Sequence, residues 1–226
     1  MTDAQSNELN VADVLALLAN GDLDVAAITA LGYAVKVRKL YDQTGNGNHL
    51  EAIALALMPV LTLNAIKSTF PAITFDPPAS TGIGTGTFPA TAQPCTISTV
   101  AKRIGSFTDR NAIFISSGPN GLYYEPTPAE TFLVYGGNLS ETPGATDNAW
   151  LALQGVLNGA SSIGSVNGSS NTVNAGTGGL GGNTRFGDNS TSGLNGRAVE
   201  IGVWPVAFSS ANNTAMSANQ RAYWGF

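Results

Sequence analysis

Tyr41-Asp42-Gln43-Thr44-Gly45-Asn46-Gly47-Asn48-His49-Leu50 follows a strand-like run, Ala34 to Leu40. Val35 and Val37 alternate there with Lys36 and Arg38, the period of a half-buried strand. Gly45 and Gly47 take positive φ at little cost, and Asn46 and Asn48 tolerate it better than most residues. Asp42 can accept N–H bonds from such a turn and hold it closed, a structural role set against direct ligand contact. A second stretch echoes the first near the C-terminus. It runs Arg185-Phe186-Gly187-Asp188-Asn189-Ser190, then Gly193 to Gly196, then a strand from Arg197 to Trp204.

Between these two stretches the chain reads as short strands cut by turn formers. Strands are expected at Val60–Asn64, Ala72–Phe75, Thr96–Lys102, Asn111–Ser116, Gly121–Tyr124, Thr131–Tyr135, Trp150–Val156 and Ser162–Val166. Asn167-Gly168 is a strong hairpin signal. Residues 79–94 and 167–184 read as loops, and 50–57 as either a short helix or a strand. Helices are expected from Val11 to Leu18 and from Ser209 to Tyr223, the second with Met216 and Tyr223 on one face and Ala215 and Ala222 beside them. Residues 22–33 stay ambiguous: Val25, Ile28 and Leu31 have helical spacing, and Gly32 ends the run.

The 226 residues carry 43% hydrophobic side chains but only 11% charged ones, against about 25% in an average domain. One domain with a real core accounts for the length; residues 1–10 read as a polar tail and 11–226 as the domain. The net charge of −5 and the scattered Lys and Arg exclude a nucleic-acid footprint. No apolar run reaches the roughly 20 residues of a membrane helix. One cysteine, Cys95, and one histidine, His49, exclude an intrachain disulfide and Cys- or His-rich metal sites. Met1 to Asn10 lacks the apolar core of a secretory signal, so work outside a cell is expected to follow another route, such as release with a particle.

The order of these elements resembles a known group. A strand enters the Tyr-Asp-Gln-Thr-Gly-Asn-Gly-Asn turn, and a strand beginning at Trp150 follows. Then come the Val166–Gly168 hairpin, Phe-Gly-Asp-Asn-Ser, a Gly-Arg-Ala-Val-Glu-Ile strand, and a final helix ending Gln220-Arg221-Ala222-Tyr223-Trp224. Over about residues 11–224 this resembles the concanavalin A-like, laminin-G-like jelly rolls. It is most similar to the catalytic-domain family of α-L-arabinofuranosidase B and to laminin-G-like domains of bacteriophage structural proteins. The implied fold is all-β: an antiparallel two-sheet jelly-roll sandwich with short N-terminal and C-terminal helices.

The resemblance also implies site residues. In the arabinofuranosidases a Gly-Asp-Asn-Ser stretch carries the general acid, which here matches Asp188. The family nucleophile, a Glu among cysteines, has no match; Glu125 and Glu130 lie in the right region with a different context. Retaining hydrolysis needs two carboxyl groups about 5–5.5 Å apart, so hydrolysis ranks behind binding. Asp188 has a plainer reading as the closer of its own turn. Glu200 matches a Glu common in these folds and is expected to pair with Arg197 or Arg221. Sugar contact, if present, is expected from Asp188, Asn189, Asn138, Tyr124 and Tyr135, with Tyr123 and Trp150 as further aromatic platforms. No cofactor is expected. Calcium stays open, with Asp42, Asp147 and Asp188 as oxygen donors whose spacing matches no defined loop.

Three roles follow. The first is a virion structural or decoration protein, docked on other subunits or its own copies and able to touch cell-surface glycans. The second is a secreted carbohydrate-binding module. The third is a glycoside hydrolase of the arabinofuranosidase type.

Overall fold

A computed structural model describes residues 18–19, 22–23, 25–30, 32–52, 54–76, 81–105, 109–116, 118, 120–126, 130–187 and 193–226. In chain order the elements begin with β1 (Leu18–Ala19), β2 (Asp22–Leu23) and α1 (Val25–Ala30). Then come β3 (Lys39–Leu40), β4 (Leu50–Glu51), β5 (Val60–Ile66), β6 (Phe70–Phe75), β7 (Ile83–Thr91) and β8 (Cys95–Arg103). The middle holds β9 (Asn111–Ile115), β10 (Gly121–Tyr124), β11 (Thr131–Tyr135), β12 (Glu141–Pro143) and β13 (Leu151–Leu157). The chain ends with β14 (Ser162–Val166), β15 (Ser169–Val173), β16 (Leu180–Phe186), β17 (Gly196–Trp204) and α2 (Ser210–Trp224).

Among the described residues the strands form two large antiparallel sheets and a small β1–β2 ribbon. One sheet runs β12-β11-β10-β9-β16-β7-β4-β3, the other β15-β14-β13-β8-β17-β6-β5. Their inner faces meet in one core that includes Ile97, Leu153 and Ala198 from the second sheet and Phe114, Leu122 and Val134 from the first. Phe75 and Phe186 close across it edge to face at 5.3 Å. This is the all-β sandwich expected from the turn-bounded strands and from the family resemblance. The sheets approach tightly at Gly155 on β13. A Cβ there would run into the Leu122 side chain and stand 3.2 Å from that of Val134.

Several elements differ from the sequence reading, each for a physical reason. Residues 83–91, inside the expected loop 79–94, are a nine-residue strand. Gly84 looks like a loop residue but serves close approach: a Cβ there would stand 2.9 Å from the Thr184 carbonyl. Pro89 is accommodated because the β16 register shifts opposite it, between Leu180 and Gly182. β15 and the start of β16 fall in the expected loop 167–184. β15 is an exposed edge strand, so it has no buried alternation to betray it. The helix expected from Val11 lies outside the described residues apart from Leu18, which opens a strand. The 22–33 ambiguity resolves as α1, followed by Gly32 at φ +84°.

The run from Ala34 to Tyr41 is extended but is not one strand. The Val37 N–H donates to the Pro59 carbonyl and the Leu61 N–H to the Val35 carbonyl, both at 2.8 Å, on the β5 edge of one sheet. One residue later the Ala52 N–H donates to the Arg38 carbonyl at 2.7 Å, and Lys39–Leu40 pair with Leu50–Glu51 in the other sheet. The chain therefore crosses from sheet to sheet between Val37 and Arg38. That crossing delivers the Asp42 turn to the mouth of the sandwich.

α2 packs by a polar face rather than by the expected Met216/Tyr223 stripe. Asn213, Ser217 and Gln220 are buried, while Tyr223 is 58% exposed. The sheet beneath explains the choice, because its outer face presents Ser98, Gln154 and Glu200. Ser217 Oγ donates to Gln154 Oε1 at 2.6 Å, Gln154 Nε2 to Gln220 Oε1 at 2.7 Å, and Gln220 Nε2 to Ser98 Oγ at 2.9 Å. Glu200 accepts from Gln220 Nε2 and, at 2.8 Å, from Trp224 Nε1. It pairs with these groups and not with Arg197 or Arg221 as expected. Ser209 caps the helix by accepting from the Asn212 N–H at 3.2 Å.

Candidate binding cleft

The Asp42 turn is held by its own side chains. Asp42 Oδ1 accepts from the Thr44 N–H at 2.8 Å and from the Thr44 hydroxyl at 2.7 Å. Oδ2 accepts from the Asn48 N–H at 3.0 Å. These donors, the Thr44 hydroxyl foremost, hold the carboxyl below its ordinary value of 3.8. The Asp42 N–H donates to His49 Nδ1 at 3.0 Å, and the Tyr41 ring meets the His49 ring edge-on at 5.2 Å. Gly45 and Gly47 take φ of +83° and +77°, which a side chain would resist.

Behind the turn lies a cleft of about 580 Å³, within the roughly 300–1,000 Å³ of small-molecule sites. It opens at one end of the sandwich, between the sheets. Its floor is apolar: Leu40, Leu50, Phe88 and Phe114 from one sheet face Ile201 and Val203 from the other. Its rim is polar: Asp42, Gln43, Thr44, Asn46 and Asn48 from the turn, and Thr91 from β7. Tyr41, 65% exposed, and Trp204 at the end of β17 supply aromatic surface. A bulge between Ala198 and Glu200 sets the β17 register so that Ile201 and Val203 join the inner face with Ala198.

The rim amides are unequally engaged. Gln43 Nε2 donates to the Tyr41 carbonyl at 2.9 Å, and Asn46 Nδ2 to the Thr44 hydroxyl at 2.9 Å. Asn48 lines the cleft, and its side chain makes no hydrogen bond among the described residues. Asp42 is the single carboxylate among the described lining residues, and both its oxygens are engaged by the turn.

Of the residues expected from sequence to contact a sugar, those that are described lie elsewhere. Asp188 and Asn189 fall outside the described residues. Asn138 sits exposed beyond β11, its Nδ2 donating to Asn174 Oδ1 at 3.4 Å. Tyr135 is half-buried, edge-on to Tyr123 at 6.4 Å. Tyr124 is fully buried in the core beneath the Arg103 guanidinium, 5.1 Å from its ring centroid, so it offers no platform. The expectation failed there because β10 is buried on both faces, and alternation alone does not reveal that. Glu125 is held by Arg110 at 2.6 Å, and Asp147 binds the buried Arg103. Among the described residues no group of three or more His, Cys, Asp or Glu side chains could hold a metal ion. No described helix is long and apolar enough to cross a membrane.

No protein-family model matches the chain, and no curated protein matches it. Solved structures do. A Trypanosoma rangeli sialidase in complex with sialic acid aligns with a TM-score of 0.51 at 12% identity, over 83% of this chain and 33% of the sialidase. Domain 4 of AbnA, a GH43 extracellular arabinanase from Geobacillus stearothermophilus, in complex with arabinotriose, aligns with a TM-score of 0.50 at 15% identity. That alignment covers 81% of this chain and 98% of the domain. The chain spans about a third of the sialidase and nearly all of the arabinanase domain. Both likenesses are of fold alone, an all-β sandwich.

Proposed function

We propose that this chain is a carbohydrate-recognition domain and that the cleft behind the Asp42 turn is its binding site. The observation that carries the reading is the cleft itself: exposed aromatic surface and an unengaged amide, Asn48, set over an apolar floor in a turn-locked mouth. Sugars present apolar C–H faces and dense hydroxyls, and such a site offers a partner for each. The arabinanase domain that matches nearly along its whole length has a solved complex with a short sugar, which favours the same use of the fold here.

The virion role gains no support from the fold or from these structures, so recognition stands ahead of it. Display of many copies on a particle would still raise avidity for a surface glycan. Hydrolysis of the arabinofuranosidase type is not proposed, since the cleft offers one carboxylate among its described lining and two are needed.

The test is a glycan panel probed with multivalently displayed protein, in calcium and in EDTA, with Tyr41→Ala and Asp188→Ala alongside. Binding lost in Tyr41→Ala and kept in Asp188→Ala places recognition in the cleft. Binding lost only in Asp188→Ala would move the site to the 188–192 segment. No binding by folded protein would refute the reading.

A further inference from the structure

The cleft chemistry narrows the sugar it would take, on the reading that it binds sugar at all. Its floor is built from Leu40, Leu50, Phe88, Phe114, Ile201 and Val203, and none of these carries a polar side-chain atom. A hydroxyl pushed onto that floor would give up its water and find no side-chain partner there, which is costly. A methyl group in the same place would bury apolar surface on both sides. The hydrogen-bonding groups stand only at the rim, where Asn48 is unengaged.

Charge narrows it further. No Lys or Arg is among the described lining residues. Lys39, whose ammonium lies over the Tyr41 ring at 5.1 Å, is paired with Glu51 at 3.6 Å. The turn also keeps a carboxylate, Asp42, in the wall, and the protein as a whole carries a formal −5. An anionic sugar would enter against like charge without a cation to meet it.

We infer that the cleft takes a neutral sugar bearing a methyl group, of the 6-deoxy or N-acetyl kind, with the methyl on the floor and ring hydroxyls at the Asn48 rim. This rests on the carbohydrate-recognition reading above and specifies its ligand class. The sugar would enter as a chain terminus, because the floor is closed below by the core that packs against it.

Matched pairs test it by ligand-observed NMR titration of the full chain with the free reducing sugars. L-fucose is compared with L-galactose, L-rhamnose with L-mannose, and N-acetylglucosamine with glucose. In at least one pair the methyl-bearing sugar should bind about fivefold or more tightly, a gain on the scale of a buried methyl group. Val203→Thr, which keeps the shape of the floor but adds a hydroxyl, should narrow that ratio. Asn48→Ala should weaken both members of the pair alike. N-acetylneuraminic acid should bind more weakly than its neutral primary amide, which removes the charge without adding a methyl group. Thermal melting of each variant confirms that it is folded.

Sugars that bind with equal or inverted preference within every pair would overturn this inference and leave the recognition reading standing. A stronger grip on the acid than on its amide would overturn the neutral-ligand part. If no sugar of any pair binds the folded protein, the recognition reading fails and this inference falls with it.

Discussion

Asp42 Oδ2 accepts the backbone N–H of Asn48 at 3.0 Å, across six residues, and thereby fixes the rim of the cleft to the strand that precedes it. Its other oxygen serves Thr44, so one carboxylate organises the whole turn. Replacing Asp42 by Ala should abolish amide-exchange protection at Thr44 and Asn48. Protection in the core strands β8 and β13 should stay as it is. Unchanged protection at both turn amides would show that the carboxylate does not hold the turn.

The same carboxyl sets a pH dependence. Its folded-state pKa lies below the ordinary 3.8. A depressed carboxyl contributes stability that is fully present above the unfolded value and is lost as pH falls through the folded one. Turn protection should therefore be flat from neutral pH down to about pH 4 and fall only below it. A carboxyl titration followed by NMR checks the direction, and an Asp42 midpoint above 4 would contradict it.

Tyr41 is 65% exposed and its ring touches His49 and the Lys39 ammonium. Truncating it removes aromatic surface from the cleft mouth and little from the core. Tyr41→Ala should weaken glycan binding about tenfold, equivalent to about 1.4 kcal/mol. Stability should move by no more than about 0.5 kcal/mol, the usual range of a surface change. Calorimetric titration and urea melts separate the two effects, and equal losses in both would assign Tyr41 to the fold instead.

Gly155 sits where the two sheets approach tightly. Gly155→Ala would force its methyl into Leu122 and against Val134. Overpacking of this kind costs about 1–3 kcal/mol, visible as a lower urea midpoint with an unchanged slope. A variant as stable as the parent would show that the sheets part without penalty.

The α2 interface rests on hydrogen bonds between buried amides. Gln154 and Gln220, joined at 2.7 Å, are 0% and 3% exposed. Removing either one strands the other, at a cost of about 1–3 kcal/mol. The double variant Gln154→Ala/Gln220→Ala should be less destabilised than the sum of the two singles, a coupling of about 0.5–3 kcal/mol. Strict additivity would mean that the pair does not act as a unit.

The short runs bounded by turn formers, such as Gly121–Tyr124 and Thr131–Tyr135, were legible residue for residue. So was the Asn167-Gly168 hairpin, because that dipeptide demands a positive-φ turn. β7 was not, because its Gly, Thr and Pro content is what a loop shows. Only the partner strand reveals that Gly84 is there for close approach. The face of α2 was misread for a related reason. A helix that docks on Ser98, Gln154 and Glu200 buries polar residues, and hydrophobic periodicity cannot see them. The Asp42 turn stood out at once, but its function as a rim depends on Phe88, Ile201 and Trp204, which come from distant segments. Tyr41 and Trp204 were visible only as aromatics at the ends of strand-like runs.

The crossing between Val37 and Arg38 bears on when the cleft comes into being. Residues 35–37 bond to the edge of one sheet and residues 38–40 to the other, so this segment finds its partners only when both sheets already face each other. Closing such non-local contacts comes late in β-rich chains. Pulse-labelled exchange during refolding should show the Val37 and Ala52 amides, which bond to Pro59 and Arg38, gaining protection after those of Ile97 and Leu153, and the reverse order would refute this. A chain that has paired its sheets incorrectly would then have no mouth, and capture of ligand would report that assembly had been completed correctly.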